Sequence, residues 1–168
     1  MSLTMHTILT QSVERMLENM SKLLDKAAAH AQQKGFDAAV LLNSRLAADM
    51  FPLSRQVQIA SDMAKSAVAR LTATEMPKYE DNETTVDELK ARIAKTLAYI
   101  RSVGAAAYEG SEKREIVIPT RTRGDLHFDG QTYLLNFILP NFLFHATTTY
   151  AILRHNGVDL GKVDFIGG

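Results

Sequence analysis

Five histidines, His6, His30, His127, His145 and His155, are the side chains of this chain best suited to acid–base or metal chemistry near neutral pH. A two-histidine metal site on a helix needs both rings on one face, hence a spacing of three or four. No pair here has that spacing, and H-E-x-x-H is absent. His145 and His155 are ten residues apart, which turns them about 80° from each other around a helix. His6, His30 and His155 fall near helix ends, where solvated rings are expected. His145 differs. It lies between Phe142 and Thr149 on an otherwise apolar face. One reading is a core histidine bonded to a hydroxyl or a backbone carbonyl. The other is a pocket residue acting as ligand or general base.

The neighbours of His145 lean toward a pocket. Asn141 and Thr149 stand one helical turn to either side. Gln56 comes from another helix, at the edge of its buried face, and must find partners or water. A dry core seldom supplies so many polar partners. A partly hydrated pocket lined by Gln56, Asn141, His145 and Thr149 is therefore expected. Arg45 and Asp49, four residues apart, either sit near its mouth or form a local surface ion pair worth a few tenths of a kcal/mol.

Other chemistries find little support. There is no cysteine, hence no thiol nucleophile, zinc–thiolate site or disulfide. The run Gly157 to Lys162 is one residue short of a phosphate-binding loop, lacks the following Ser or Thr, and follows a helix instead of a strand. No serine lies in a nucleophile-elbow motif. Nineteen basic residues balance nineteen acidic ones, which argues against a nucleic-acid partner. With 46% apolar residues the chain is not a disordered one. No stretch approaches about 18 uninterrupted apolar residues, and no signal peptide is visible, so a cytoplasmic protein with no membrane partner is expected. A length of 168 residues suits one domain, 1–168.

Four amphipathic segments must position these side chains. Leu9, Val13, Met16, Met20, Leu23, Ala27 and Ala31 predict a helix over 5–34, stopped by Gly35. Leu53, Val57, Ala60, Ala64, Ala67 and Leu71 predict a second over 52–73, with Arg55, Asp62, Lys65 and Arg70 on its wet face. Thr85 to Glu88 has the capping-box form and opens a third over 86–103, with Val86, Leu89, Ile93, Thr96, Leu97 and Ile100 inward. The last element begins near Thr132, becomes clearly helical after Pro140 with its helix over 140–156, and ends at Gly157. Glu115 to Pro119 and Leu126 to Gln131 read as short strands, the second carrying an Asp-Gly turn signal at Asp129 and Gly130. Four apolar stripes bury one another in an all-α, up-and-down four-helix bundle, with the small β insertion between the third and fourth helices.

Two longer strings resemble a known family. The run Arg45 to Lys65 (RLAADMFPLSRQVQIASDMAK) and the run Asn141 to Phe165 (NFLFHATTTYAILRHNGVDLGKVDF) resemble the hallmarks of an uncharacterised bacterial domain-of-unknown-function family. That family is grouped with the DinB/YfiT-like four-helix bundles, a superfamily of proposed metalloenzymes. The resemblance implies an antiparallel bundle and a homodimer. In many superfamily members three histidines hold a divalent metal, one from the second helix and two from the last, four apart. Here His145 matches one last-helix position, Asn141 stands four earlier, and the second helix offers Gln56 or Gln58. Neutral amides bind transition metals weakly beside imidazole. The expected function is a small-molecule-binding bundle with a degenerate metal site and no assigned cofactor. The alternatives are a divergent metal-dependent enzyme of thiol-transferase or hydrolase type, and a dimeric interaction module.

Overall fold

The structure, a computed structural model, describes residues 3–120, 122 and 124–167. Helix α1 (Met5–Lys34) opens on Thr4, whose hydroxyl accepts from the Thr7 amide, and closes on Gly35 in the left-handed region at φ 74°. A short α2 (Ala39–Leu42) follows, then α3 (Leu53–Thr72) and α4 (Val86–Ser102). The capping box of α4 forms as its sequence implies. The Glu88 amide donates to the Thr85 hydroxyl at 3.2 Å, and the Thr85 amide donates to the Glu88 carboxylate at 2.9 Å. Two 3₁₀ turns, Ala105–Tyr108 and Ser111–Lys113, lead to β1 (Glu115–Ile118) and β2 (Leu126–Asp129). These pair antiparallel, with Glu115 opposite Asp129.

From Gly130 the chain is helical without a break. Helix α5 (Gly130–Thr132) passes into a π-helical segment, Tyr133–Ile138, and then into α6 (Leu139–His155). The expected helix over 140–156 is thus one register earlier and has a prologue. Pro140 cannot donate into the ladder, and just beyond it the Asn141 side-chain amide donates to the Phe137 carbonyl at 2.6 Å. The Asp-Gly signal also has a different role. Asp129 caps α5, accepting from the Thr132 amide at 2.7 Å, and the strands are joined by residues 119–125 instead. Gly130 is needed there because a Cβ would lie 1.8 Å from the Ser111 carbonyl oxygen.

Helices α1, α4, α3 and α6 pack in that order around a square. Their shared core holds Leu9, Leu17, Met20, Val57, Leu71, Ile93 and Phe142. Leu17 takes the place expected of Met16, which lies at the margin. The directions follow from side-chain pairs. Gln56 meets His145 and Ser66 meets Tyr133, so α3 and α6 are antiparallel. Asp25 meets Lys90 and Glu14 meets Arg101, so α1 and α4 are antiparallel. Arg92 reaches Gln58 and Asp62, while Tyr99 reaches Thr74 beyond the end of α3, so α3 and α4 run the same way. The bundle is the expected one, but its helices run up, down, down, up. The segment 73–85 makes this feasible. Helix α3, 20 residues long, spans about 30 Å, and a 13-residue segment reaches about 43 Å when extended.

That returning segment corrects one expectation. Lys65 is buried, not on a wet face, because Tyr79 lies over it with the Lys65 Nζ 3.9 Å from the ring centroid. The C-terminal stretch also docks. Helix α7 (Lys162–Ile166) lies on α1, with Asn19 donating to the Phe165 carbonyl at 3.0 Å and Lys26 pairing with Asp164 at 2.7 Å. No described helix is long and apolar enough to cross a membrane.

Candidate functional site

Gln56 lies in the second turn of α3 and is 1% exposed. Its Nε2 donates to the Phe51 carbonyl at 3.0 Å. A carbonyl only accepts, so this contact fixes the amide orientation and points Oε1 the other way. His145 Nδ1 lies 2.7 Å from that Oε1. The oxygen needs a donor, so Nδ1 carries the hydrogen and the neutral ring keeps its lone pair on Nε2. Burial, and then the positive charge of Arg55, hold the His145 pKa below the ordinary imidazole value. At neutral pH the ring is therefore a neutral acceptor held in one tautomer. The Phe144 ring stands edge-on to it at 5.2 Å.

The other expected lining residues are not drawn to this pair. Thr149 is fully buried and donates to the His145 carbonyl at 2.9 Å, one turn back on its own helix. The Asn141 amide turns back in the same way toward Phe137, which leaves its Oδ1 free of that contact. Arg45 donates to the Met50 carbonyl. No ion pair joins it to Asp49 among the described residues, because residues 43–52 do not form the helical turn that would align the two. Of the six expected residues, the fold directly joins Gln56 and His145.

A larger polar cluster escaped the reading of the sequence. Arg92 is 1% exposed and faces three carboxylates, with Nη2 2.7 Å from Asp62 and 3.0 Å from Asp81, and Nη1 2.9 Å from Glu83. Gln58 donates to Glu83 at 2.9 Å, and Arg55 bridges Gln58 and Asp81. The cluster ties the returning segment to α3 and α4 and fixes Arg55. A signal was present: Arg92 is three residues after Leu89 and four before Thr96, inside the buried stripe.

The residues do not fit a three-histidine metal. Only one imidazole nitrogen is available, the Gln56 oxygen is already taken by His145, and Asn141 offers a neutral amide. Among the described residues no group of three or more His, Cys, Asp or Glu is placed to hold an ion.

Comparison with known proteins agrees with the architecture. A family model described as "Domain of unknown function (DUF1993)" matches residues 5–166. No curated protein matches the chain. Among solved structures, the crystal structure of a DinB family member protein from Shewanella denitrificans is 44% identical. It superposes with a TM-score of 0.88 over 95% of this chain and 89% of that one.

Proposed function

The chain belongs to the DUF1993 family, a domain of unknown function, and from that premise we propose that it is a small-molecule-binding helical bundle with its site at His145. One observation carries the reading. The relay from Phe51 through Gln56 to His145 sets the imidazole as a neutral acceptor with Nε2 unprotonated. A ligand that donates a hydrogen bond to Nε2 and lays apolar surface on Phe144 matches these groups. Asn141 Oδ1, one turn away, is a second acceptor for it. The metal-dependent alternative has less behind it, because the donor set offers one imidazole and two amides.

The test is long-range ¹H–¹⁵N NMR of the imidazoles with small phenols as probes. The expected result is an unprotonated Nε2 on His145, a shift of that resonance by phenols, and loss of binding in His145→Ala. A protonated Nε2 in the neutral ring, or no shift at millimolar phenol, overturns the reading.

A dimer is the second reading, and a different observation favours it. Helix α6 exposes Leu143 and Phe144, the latter 54% exposed, and Leu135 lies exposed in the π-helical turn before it. A helix apolar on nearly every face is ordinarily covered on all of them. Sedimentation velocity across micromolar concentrations is expected to give a dimer that Phe144→Glu dissociates. A monomer at all concentrations removes this reading.

A further inference from the structure

We propose that a cleft at the end of the bundle opposite His145, between the first turn of α1 and the turns after α4, binds a small amphiphilic amine. The cleft has a volume of about 590 Å³, inside the range of about 300–1,000 Å³ typical of ligand pockets. Met5, Ile8, Ala105, Ala106 and Leu135 give it apolar walls. Leu135 belongs to the π-helical turn, a rare conformation that recurs at functional sites.

Its polar lining is unfinished. Tyr108 lines the cleft, is 3% exposed, and its hydroxyl has no hydrogen-bond partner. The Ser111 hydroxyl, three residues further on, is also buried and unpartnered. A buried hydroxyl left without a partner has given up its water for nothing in return. Of the three buried orphans among the described side chains, Arg92 Nε, the Ser111 hydroxyl and the Tyr108 hydroxyl, the last belongs to a residue of the cleft wall, and Ser111 lies between the lining residues Gly110 and Glu112. Burial pushes the Tyr108 phenol above its ordinary pKa, so it stays protonated, able to donate and to accept.

Charge selects the ligand. Glu109 and Glu112 line the cleft, and among the described residues no lysine or arginine does. His6 stands edge-on to the Tyr108 ring at 5.2 Å. The first turn of α1 opposes the glutamates with only about half an elementary charge, and Thr4 already caps part of it. An ammonium group at the glutamates, its chain along Met5, Ile8 and Leu135, satisfies both the apolar walls and the net negative rim. The phenol oxygen is closed to solvent in the structure, so a turn of the Tyr108 ring toward the cleft would let the ammonium N–H supply the partner that the oxygen lacks.

The experiment uses hexylamine, with hexanoate and 1-hexanol as probes of the same shape, read by methyl NMR of Met5, Ile8 and Leu135 at about pH 8. Saturable shifts with hexylamine are expected, with hexanoate at least about tenfold weaker. Tyr108→Phe is expected to weaken hexylamine by about two- to tenfold, the worth of one hydrogen bond. The double change Glu109→Gln, Glu112→Gln is expected to weaken hexylamine but not hexanol, and Ala106→Trp to block all three. His145→Ala is expected to leave all of this unchanged, which separates the cleft from the site at His145. Hexanoate binding as tightly as hexylamine, shifts that survive Ala106→Trp, or no saturable shift overturns the proposal.

Discussion

At the scale of single residues, the Gln56–His145 contact makes a testable statement about protons. The His145 pKa is lowered in the fold, so the unfolded chain binds its proton more readily. The resulting stability is fully present above the unfolded value of about 6.5 and is lost as pH falls toward the folded value. An NMR titration is expected to place the His145 midpoint below about 6.5. Gln56→Glu should reverse the shift, because a carboxylate facing Nδ1–H favours the imidazolium. A midpoint in Gln56→Glu no higher than in the parent would contradict the contact. The spacing of Asn141, His145 and Thr149 marked a polar stripe, but Thr and Asn on a helix have a local option, the carbonyl four residues back. Both take it, and periodicity cannot register that choice.

At the scale of elements, two joints hold the arrangement. Arg92 on α4 neutralises carboxylates from α3 and from the returning segment. Arg92→Ala leaves Asp81 to Arg55 and Asp62 to Lys65 but strips the mostly buried Glu83 of its cation, and a loss near the lower end of about 3–5 kcal/mol is expected in urea denaturation. Asp81 adds an acid limb. Although its partial burial opposes the shift, bonds and charge from Arg55 and then Arg92 hold its pKa below the ordinary carboxylate value. Its contribution is present above the unfolded value and lost as pH falls through the folded one. The second joint is Gly130 against the Ser111 carbonyl. Gly130→Ala puts a methyl 1.8 Å from that oxygen, and a cost at or above the upper end of about 1–3 kcal/mol is expected from the melting temperature. The same change should disturb Leu135 and the cleft beside it.

For the whole molecule, the parallel run of α3 and α4 depends on the length of segment 73–85. Cutting it to six residues limits its reach to about 20 Å, short of the roughly 30 Å it must cover. That variant is expected to lose the cooperative unfolding transition seen by circular dichroism. A glycine–serine segment of the original length should keep the fold and lose the ion cluster. A native-like six-residue variant would refute the assigned direction. The two candidate sites sit at opposite ends of the bundle, so each is open to substitution without touching the other. His145 faces the end where α3 begins, and the Tyr108 cleft faces the end where α4 finishes.

The four helices, most of their buried faces and the caps at Thr85 and Gly35 follow from the order of the residues alone. These depend on neighbours three or four positions along the chain, and such neighbours are visible in a string of letters. That order also marked His145 and Gln56 as polar groups on inward faces. Packing, by contrast, sets the bond between Gln56 and His145, the burial of Lys65 and Arg92, and the parallel run of α4 beside α3. The same holds for Gly130, which allows the turn at Ser111 to close on α5 and brings Tyr108 to the cleft wall. Each of these contacts joins residues far apart in the chain, and its partner is fixed by where the helices pack, not by local spacing.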